Sequence, residues 1–453
     1  MLMSKKLFSF LFFVSVFMIF QPFCIFAKEE KEEDEVSIMQ KRKDTLAFGL
    51  ESEISELISN LIKEKDDSLS DELEKLVKET SNASIREKII EYFTENKDDR
   101  LKSYVMEILE DPYDYKNSTV NKLISYTGKC GIKDAAPLLI KFLDDEKDEY
   151  YDSSVTSLGE IGGPDEAVFL SELMERDLTT SQKQTLMKAL GRIKAVETWD
   201  KLVEIAENED ENLYVRMYAA EAIGAMQKKE SVPVLKKLFE SSDPNLRTYA
   251  LKGLSYYDDK SVKEVFIQAF RDNYYKVRLE AAEYVEKNAV KDALPILLYR
   301  AKNDSEPTVK YSCYKALGVL NEKEAFDFLA QVVGDTKKGE AARAKAAAVI
   351  LDYDDKDALN KVLEVTEDSL NDKKKIKLRY ALGKEIALHE NVLFEDICKK
   401  FLENEDSTTK GIGLDIWKKN NFSSLRPVVE KLAEEKTGGI KSKAQFVLDQ
   451  VGE

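Results

Sequence analysis

The sequence predicts an all-α fold in which about 11 to 12 helical hairpins stack into an α-α superhelix. A motif of apolar and small residues recurs at steps of 31 to 35 residues, and apolar residues within each copy follow helical spacing. The 453-residue chain has only 9 prolines and 18 glycines, so long stretches are free of helix breakers. A chain this long exceeds one ordinary core, which favours a repeat array.

The first 27 residues have the pattern of a secretory signal peptide. Lys5 and Lys6 give a positive start, Leu7 to Phe20 is almost uninterruptedly apolar, and Ala27 offers a cleavage site. We therefore predict cleavage after Ala27 and a mature chain outside the cytoplasm, either periplasmic or secreted.

Two alternatives concern the same segment. Cys24 is a candidate for lipidation, although Phe23 stands where such sites need a small residue. Leu7 to Phe26 is long enough to remain as an uncleaved membrane anchor, although Gln21 and Pro22 interrupt it. No later segment has 18 consecutive apolar residues, so no further membrane insertion is predicted.

A charged, flexible leader is predicted over residues 28–44, followed by the repeat array over residues 45–453. The clearest copy runs from Val215 to Gly224, and we call the position of Gly224 the repeat mark. A weaker copy begins at Ile85, and Leu50 to Ile62 has the spacing of an earlier helix. The mark recurs at residues 128, 159, 191, 224, 255, 286, 318, 351, 383, 418 and 449.

Proline positions check this frame independently. Four prolines stand nine residues after a mark, and two more stand before the motif itself: Pro137, Pro233, Pro295 and Pro427, then Pro244 and Pro307. Proline is tolerated in the first turn of a helix, because its missing N–H would have no partner there. Each repeat is therefore predicted to be two antiparallel helices whose apolar stripe is buried by stacking.

The motif resembles the HEAT repeat, and more narrowly the short HEAT-like units of phycobilisome lyases. Its copies share Val-Arg, a pair of alanines and a terminal apolar-Gly pair, as in Val215 to Gly224. The resemblance implies an armadillo-type solenoid whose second helices line a concave surface. It is specific for fold and nearly silent on function.

Composition argues against several classes of chemistry. The net charge of −17 repels phosphate backbones and anionic lipid unless a local basic face overrides it. His389 is the single histidine, so His-rich metal sites and Ser-His-Asp triads are excluded. His389 and Glu390 resemble a ligand pair of HEAT-repeat di-iron hydroxylases, which need several such pairs, and we interpret His389 as a turn residue. We predict no catalytic residue, metal site or cofactor.

Three cysteines follow the signal segment, and all fall at frame positions that are apolar in most copies. Cys313 shares a column with Ala219, Ala250, Ala281 and Ala346. Cys130 and Cys398 align with larger apolar residues, so core packing is the expected role of all three. Stacked helices advance about 10 Å per repeat, which places Cys130 and Cys313 too far apart for a disulfide.

A basic residue recurs near the start of the second helix with an acid before it. The pairs are Arg216 with Asp210, Arg247 with Asp243, Arg278 with Asp272, Lys310 with Asp304, and Arg343 with Asp335. One interpretation is a basic stripe for an anionic ligand. The favoured one is that the acid caps the helix and the pair ties adjacent repeats. The densest basic run, Lys373 to Arg379, is likewise either a contact for an acidic partner or solvated helix surface.

Tyrosine supplies the candidate binding residues. Tyr218 and Tyr249 fill one frame position in consecutive repeats, and Lys252 follows three residues after Tyr249. Tyr311 and Tyr314 lie on the second helix of a later copy. These five residues are predicted to form a protein-binding patch on the concave surface, and the alternative is that the tyrosines pack in the seams between repeats.

These observations favour a non-enzymatic scaffold or adaptor that binds another protein outside the cytoplasm, in an envelope or surface assembly. A membrane-anchored scaffold follows if the N-terminal segment is not cleaved. The alternative from another class is an enzyme similar to the HEAT-like bilin lyases. Nucleic-acid binding, as in HEAT-like glycosylases, is disfavoured by the charge and by the export signal.

Overall fold

The structure, a computed structural model, describes residues 38–353, 355–434 and 438–451. This part of the chain is α-helical with short 3-10 turns and contains no β-strand, which confirms the predicted all-α superhelix class. The predicted signal peptide, its two alternatives and residues 28–37 of the leader lie outside the described residues. The chain divides into two compact units between Ala222 and Ile223.

Unit 1 contains a helix over residues 38–48, followed by the helices α1 to α11, the last of which extends three residues past the unit boundary. Their bounds are α1 Glu51–Glu64, α2 Ser70–Glu79, α3 Ala83–Asn96, α4 Lys102–Glu110, α5 Asn117–Lys129, α6 Ala136–Asp144, α7 Tyr151–Ile161, α8 Pro164–Glu172, α9 Thr180–Ile193, α10 Trp199–Glu207 and α11 Leu213–Ala225.

Unit 2 continues the same alternation. Its helices are α12 Ser231–Phe239, α13 Pro244–Leu254, α14 Lys260–Ala269, α15 Tyr275–Asn288, α16 Leu294–Asn303, α17 Pro307–Leu320, α18 Lys323–Gly334, α19 Glu340–Tyr353, α20 Lys356–Leu370, α21 Ile376–Ile386, α22 Glu395–Leu402, α23 Ser407–Asn420, α24 Arg426–Ala433 and α25 Gly439–Val451.

Even-numbered helices are the first helices of the repeats, and odd-numbered helices are the second. Within unit 1, consecutive odd helices pack on one another from α1 to α9, and within unit 2 from α13 to α25. Even helices such as α6, α16 and α22 pack against the odd helix that follows them. Within each unit, neighbouring hairpins therefore bury one another, as expected for a one-sided apolar stripe.

The prolines stand where the frame places them. Pro137, Pro295 and Pro427 occupy the first turn of an even helix, and Pro244 and Pro307 that of an odd helix. Pro233 is the third residue of α12. The missing N–H therefore costs no intrahelical hydrogen bond at these positions.

Small residues near the repeat mark let the odd helices approach closely. A Cβ added at Gly159 would lie 2.9 Å from Ala189 Cα, and one added at Gly191 would lie 2.8 Å from Ala222 Cα. A Cβ at Gly224 would overlap the carbonyl oxygen of Gly253. The motif ends in small residues because backbones meet there.

The leader prediction requires a correction at its C-terminal end. Residues 38–44 are helical, so regular structure begins before residue 45. Arg42 pairs with Asp66 at 2.6 Å, and Lys43 pairs with Glu72 on α2. Basic residues of this segment therefore form ion pairs with acids of the first hairpins.

Within the described ranges, no helix is both long enough and apolar enough to span a bilayer.

Candidate functional site

The predicted binding residues lie on odd helices, as the frame requires. Tyr218 is half-buried on α11 in unit 1, with the ammonium of Lys188 from α9 standing 4.1 Å from its ring centroid. Tyr249 and Lys252 lie on α13 in unit 2. Tyr218 and Tyr249 thus fall in different units.

Tyr249 and Lys252 belong to one cluster with Glu280 of α15. The Lys252 ammonium lies 4.7 Å from the Tyr249 ring centroid and 3.7 Å from Glu280 Oε1. Glu280 holds the frame position of Tyr249 one repeat later. The structure therefore brings Tyr249 and Lys252 together, and an acid from the next odd helix joins them.

Tyr314 corrects the prediction. Its side chain is 1% exposed, and burial raises its pKa to about 12. The ring lies 6.1 Å from that of Phe328 on α18 and 5.9 Å from that of Tyr311, which is half-buried. Tyr314 is seam packing rather than part of a binding surface, because α18 covers the side of α17 on which it stands.

The recurring Arg and Asp residues tie adjacent repeats in two successive copies, as predicted, but the acid that each arginine binds is not the one that precedes it in its own repeat. Arg247 donates to both oxygens of Asp272 at 2.8 Å, and Arg278 donates to both oxygens of Asp304 at 2.7 Å. Each arginine reaches the acid of the next repeat, and we call these four residues the Arg–Asp ladder.

Two further arginines of this set do not bind an acid in the same way. The Arg216 and Arg343 Nε–H groups donate to the carbonyl oxygens of Ala206 and Val333. Burial lowers the pKa of Arg343. Asp243 caps α13 by accepting from the backbone N–H groups of Asn245 and Leu246.

The odd helices of unit 2 form a basic surface that the sequence analysis did not single out. On the seven odd helices from α13 to α25, Lys and Arg outnumber Asp and Glu by 17 to 8. On the six odd helices from α1 to α11, the ratio is 9 to 10. The eight acids are Glu280, Glu283, Glu286, Glu340, Asp352, Glu385, Asp415 and Asp449. Three of the basic residues are buried, namely Arg278, Arg343 and Arg379. The remaining 14 still exceed the acids, in a chain of net charge −17.

The outward positions of these helices lie six and three residues before the repeat mark and one residue after it. Eight lysines and four acids occupy these positions. Five of the lysines form the set that we call the basic face, namely Lys252, Lys315, Lys345, Lys377 and Lys384. Some of its charge is balanced by acids on the next odd helix. Lys345 lies 4.0 Å from Glu385 on α21, and Lys252 lies 3.7 Å from Glu280 on α15.

Three lysines of the basic face form no ion pair within the described residues. Lys315, Lys377 and Lys384 are exposed, and in the described part of the chain no carboxylate lies within ion-pair distance of them. Lys377 belongs to the basic run Lys373 to Arg379, whose last residue is buried instead. The net charge of the whole chain hides this face, because acidic residues elsewhere outweigh its lysines. A count of charged residues at the outward frame positions alone would have revealed it.

The histidine and cysteines match their predicted surroundings. His389 lies in the turn after α21, with Nε2 at 3.7 Å from Asp352 Oδ1. Cys313 and Cys398 are buried and Cys130 is half-buried, all as free thiols. Burial raises the pKa of Cys130 and of Cys313 to about 12 and raises that of Cys398 further. Among the described residues, no group of three His, Cys, Asp or Glu side chains is arranged to hold a metal ion.

A family model described as spirochaete HEAT repeat protein matches residues 46–447. The chain belongs to this family. The match extends over nearly all the described residues and confirms the HEAT-repeat resemblance of the motif. A search of the curated proteins found no sequence relative of this HEAT repeat protein.

Solved structures with a similar fold include a karyopherin. Kap121p matches with a TM-score of 0.44 and 14% identity over 93% of this chain and 54% of its own. Kap121p bound to Nup53p matches with a TM-score of 0.45 and 13% identity over 91% and 53%. The E. coli protein YIBA matches with a TM-score of 0.36 and 18% identity over 56% and 97%. The chain thus spans about half the length of the Kap121p chains it matches.

Proposed function

We propose that this HEAT repeat protein is a non-enzymatic scaffold that works outside the cytoplasm, and that its basic face binds an acidic segment of a partner protein. The observation that carries the proposal is the excess of Lys and Arg on the odd helices of unit 2 in a strongly acidic chain. If acidic and basic residues were evenly distributed along the chain, the odd helices of unit 2 would also carry more acids than bases.

The arrangement of side chains favours a polypeptide as the occupant. Exposed lysines recur on successive stacked helices, so they form a row that an extended acidic segment can follow. Half-buried tyrosines, Tyr249 and Tyr311, stand among them and supply rigid amphipathic area for side-chain contacts. Such complementary charge sets association rate and specificity more than raw affinity.

The test compares two triple variants of the mature protein with equal net charge. Lys315, Lys377 and Lys384 are changed to Gln in one, and the exposed lysines Lys237, Lys302 and Lys399 of even helices in the other. We expect the first to weaken binding of a fluorescein-labelled glutamate-rich peptide about five- to tenfold, since exposed pairs contribute up to about 1 kcal/mol each. The second should bind as the wild type does.

Binding of two alternative anionic ligands is measured with the wild type and both triple variants. Duplex DNA and phosphatidylserine vesicles test the other two anionic surfaces. Equal weakening by both triple variants, or binding of DNA or vesicles in preference to the peptide, would contradict the proposal. In a pull-down from native envelope, the true partner must be retained by the even-helix variant and lost by the odd-helix variant.

Export is tested on its own. Residues 1–30 fused to a reporter should carry it out of the cytoplasm, and the mature N-terminus should lie at Lys28, because the first 27 residues have the signal-peptide pattern. A diacylglyceryl group on Cys24, or an intact Leu7 to Phe26 segment in the membrane fraction, would replace the cleaved form with an anchored one.

A further inference from the structure

An aromatic cleft of about 140 Å³ opens in unit 1 between two successive loops. One loop joins α4 to α5 and the other joins α6 to α7. Its apolar lining comprises Leu109, Pro112, Tyr113, Tyr115, Phe142 and Tyr150. Tyr113, Tyr115 and Tyr150 lie in the loops, outside the helices of the repeat motif, whereas Phe142 belongs to α6.

Tyr113 is conspicuous because its side chain is 80% exposed. Its neighbour Pro112 is buried, and the pair sits in a 3-10 turn closed by the Tyr115 N–H donating to the Pro112 carbonyl at 3.0 Å. The turn therefore holds the Tyr113 ring at the surface, where most of it is accessible to a ligand.

The floor of the cleft is rigid. Tyr150 is buried and donates its hydroxyl to Asn117 Oδ1 at 3.0 Å. Its ring lies 5.1 Å from that of Phe142. The cleft is therefore formed before any ligand arrives, which lowers the entropic cost of binding.

Both outer tyrosines already attract cations of the chain itself. The Lys147 ammonium lies 5.7 Å from the Tyr113 ring centroid, and the Arg86 guanidinium lies 5.2 Å from that of Tyr115. Positive side chains over aromatic faces are attracted by the ring quadrupole. Lys147 thus marks where a cation of a partner would stand.

The rim has the matching charge. Residues 110–116 and 144–149 together carry eight carboxylates and two lysines, with Lys141 beside them on α6. One of the carboxylates, Asp144, is paired with Arg176 at 3.0 Å. The remaining acids outnumber the lysines, so the field at the cleft favours a positive ligand.

We propose that this cleft, the Tyr113 cleft, binds a segment of a partner protein by its arginine or lysine side chains. The cationic head stacks on Tyr113 in place of Lys147, its aliphatic stem lies against Pro112 and Phe142, and the acidic rim holds neighbouring basic residues. The site is independent of the basic face, since it lies in the other unit and selects the opposite charge.

The test uses a fluorescein-labelled peptide of Gly, Ser and Arg, with citrulline replacing Arg in the control peptide. We expect the mature protein to bind the arginine peptide in low salt and not the citrulline one. Tyr113→Ala should weaken binding about three- to tenfold and Tyr113→Phe should retain it, because the ring face supplies the attraction. Tyr299→Ala removes another exposed ring, which is 56% exposed and lies beside Arg300, and should have no effect.

A second pair of variants tests the competition by Lys147. Lys147→Met should tighten binding more than Lys116→Met, although both remove one positive charge from the same rim. Equal effects of the two, unchanged binding by Tyr113→Ala, or equal affinity for the citrulline peptide would overturn the proposal. Self-association of the protein that Tyr113→Ala abolishes would also overturn it, since the occupant would then be a second copy.

Discussion

Asp304 shows how single residues join adjacent repeats. Its side chain is fully buried and accepts from Arg278 and from the backbone N–H of Glu306. Burial alone would raise the pKa of this carboxyl, but these hydrogen bonds and the charge of Arg278 hold it below its ordinary value of 3.8. A buried pair of this kind is costly to break, because one partner would remain charged and alone.

Asp304→Asn should therefore lower the free energy of unfolding by about 3 kcal/mol. Asp71→Asn is the matched control, since Asp71 also pairs with an arginine, Arg100 at 2.7 Å, but is 93% exposed. It should cost less than about 1 kcal/mol. Urea titration of the three proteins measures both, and equal losses would show that burial of the pair is unimportant.

The same carboxylate predicts a pH dependence. Because its folded pKa lies below 3.8, its contribution is complete above that pH and is lost as the pH falls through the folded pKa. The stability difference between wild type and Asp304→Asn should thus be constant near neutrality and narrow below about pH 4. A difference that stays constant down to pH 2 would contradict the lowered pKa.

Tyr311 and Tyr314 lie on the same helix, but Tyr311 is partly exposed at the surface and Tyr314 is buried between helices. Tyr314→Ala should destabilise the protein by about 3 kcal/mol, because it empties a buried site beside Phe328. Tyr311→Ala removes a half-exposed ring and should cost about 1 kcal/mol or less. Thermal unfolding compares them, and similar losses would mean that Tyr311 is also seam packing.

Two glycines on α23 show what decides helix packing at the scale of an element. A Cβ at Gly413 would lie 2.8 Å from the backbone nitrogen of Leu402 on α22. A Cβ at Gly411 would meet nothing closer than Lys443 Nζ at 3.7 Å. The helix is the same, but only one of its glycines is required by a neighbouring backbone.

Gly413→Ala should destabilise by about 2 kcal/mol, since α22 must move to accept the methyl group. Gly411→Ala should stabilise by about 0.5 to 1 kcal/mol, because alanine loses less backbone entropy in a helix. Chemical denaturation of the two variants measures whether each change raises or lowers the free energy of unfolding. Destabilisation by both would indicate that α23 cannot accept any added methyl group.

For the whole molecule, the repeat is the unit that can be removed. Helices α15 and α17 each end before a residue in the left-handed conformation, Ala289 with φ 48° and Asn321 with φ 52°. Joining Asn288 to Asn321 deletes one complete hairpin, α16 with α17, and keeps the turn geometry. Each repeat contacts mainly its neighbours, so α15 regains an equivalent partner in α19.

Deletion of residues 289–320 should give a monomeric protein with undiminished helicity per residue. Deletion of residues 289–306 removes α16 alone and should aggregate, because α17 then exposes the stripe that α16 covered. Circular dichroism and light scattering distinguish the two. If the complete deletion aggregates as readily as the partial one, the repeat is not the unit of folding.

The sequence alone determined the helices, their pairing and the column of small buried residues that includes Cys313. These features recur with one period and depend on contacts that repeat in every copy, so a pattern within one chain is enough to find them. The Arg and Asp spacing likewise predicted a link between repeats. The structure added which acid each arginine reaches, namely that of the following repeat.

Only the tertiary structure decided which side chains remain open to a partner. Tyr311 and Tyr314 are three residues apart on α17, yet only Tyr314 is covered, because α18 packs there. The Tyr113 cleft joins two loops from successive repeats, and neither loop alone forms a pocket. The basic face depends on which side of each odd helix points outward, and the stacking of the repeats decides that side.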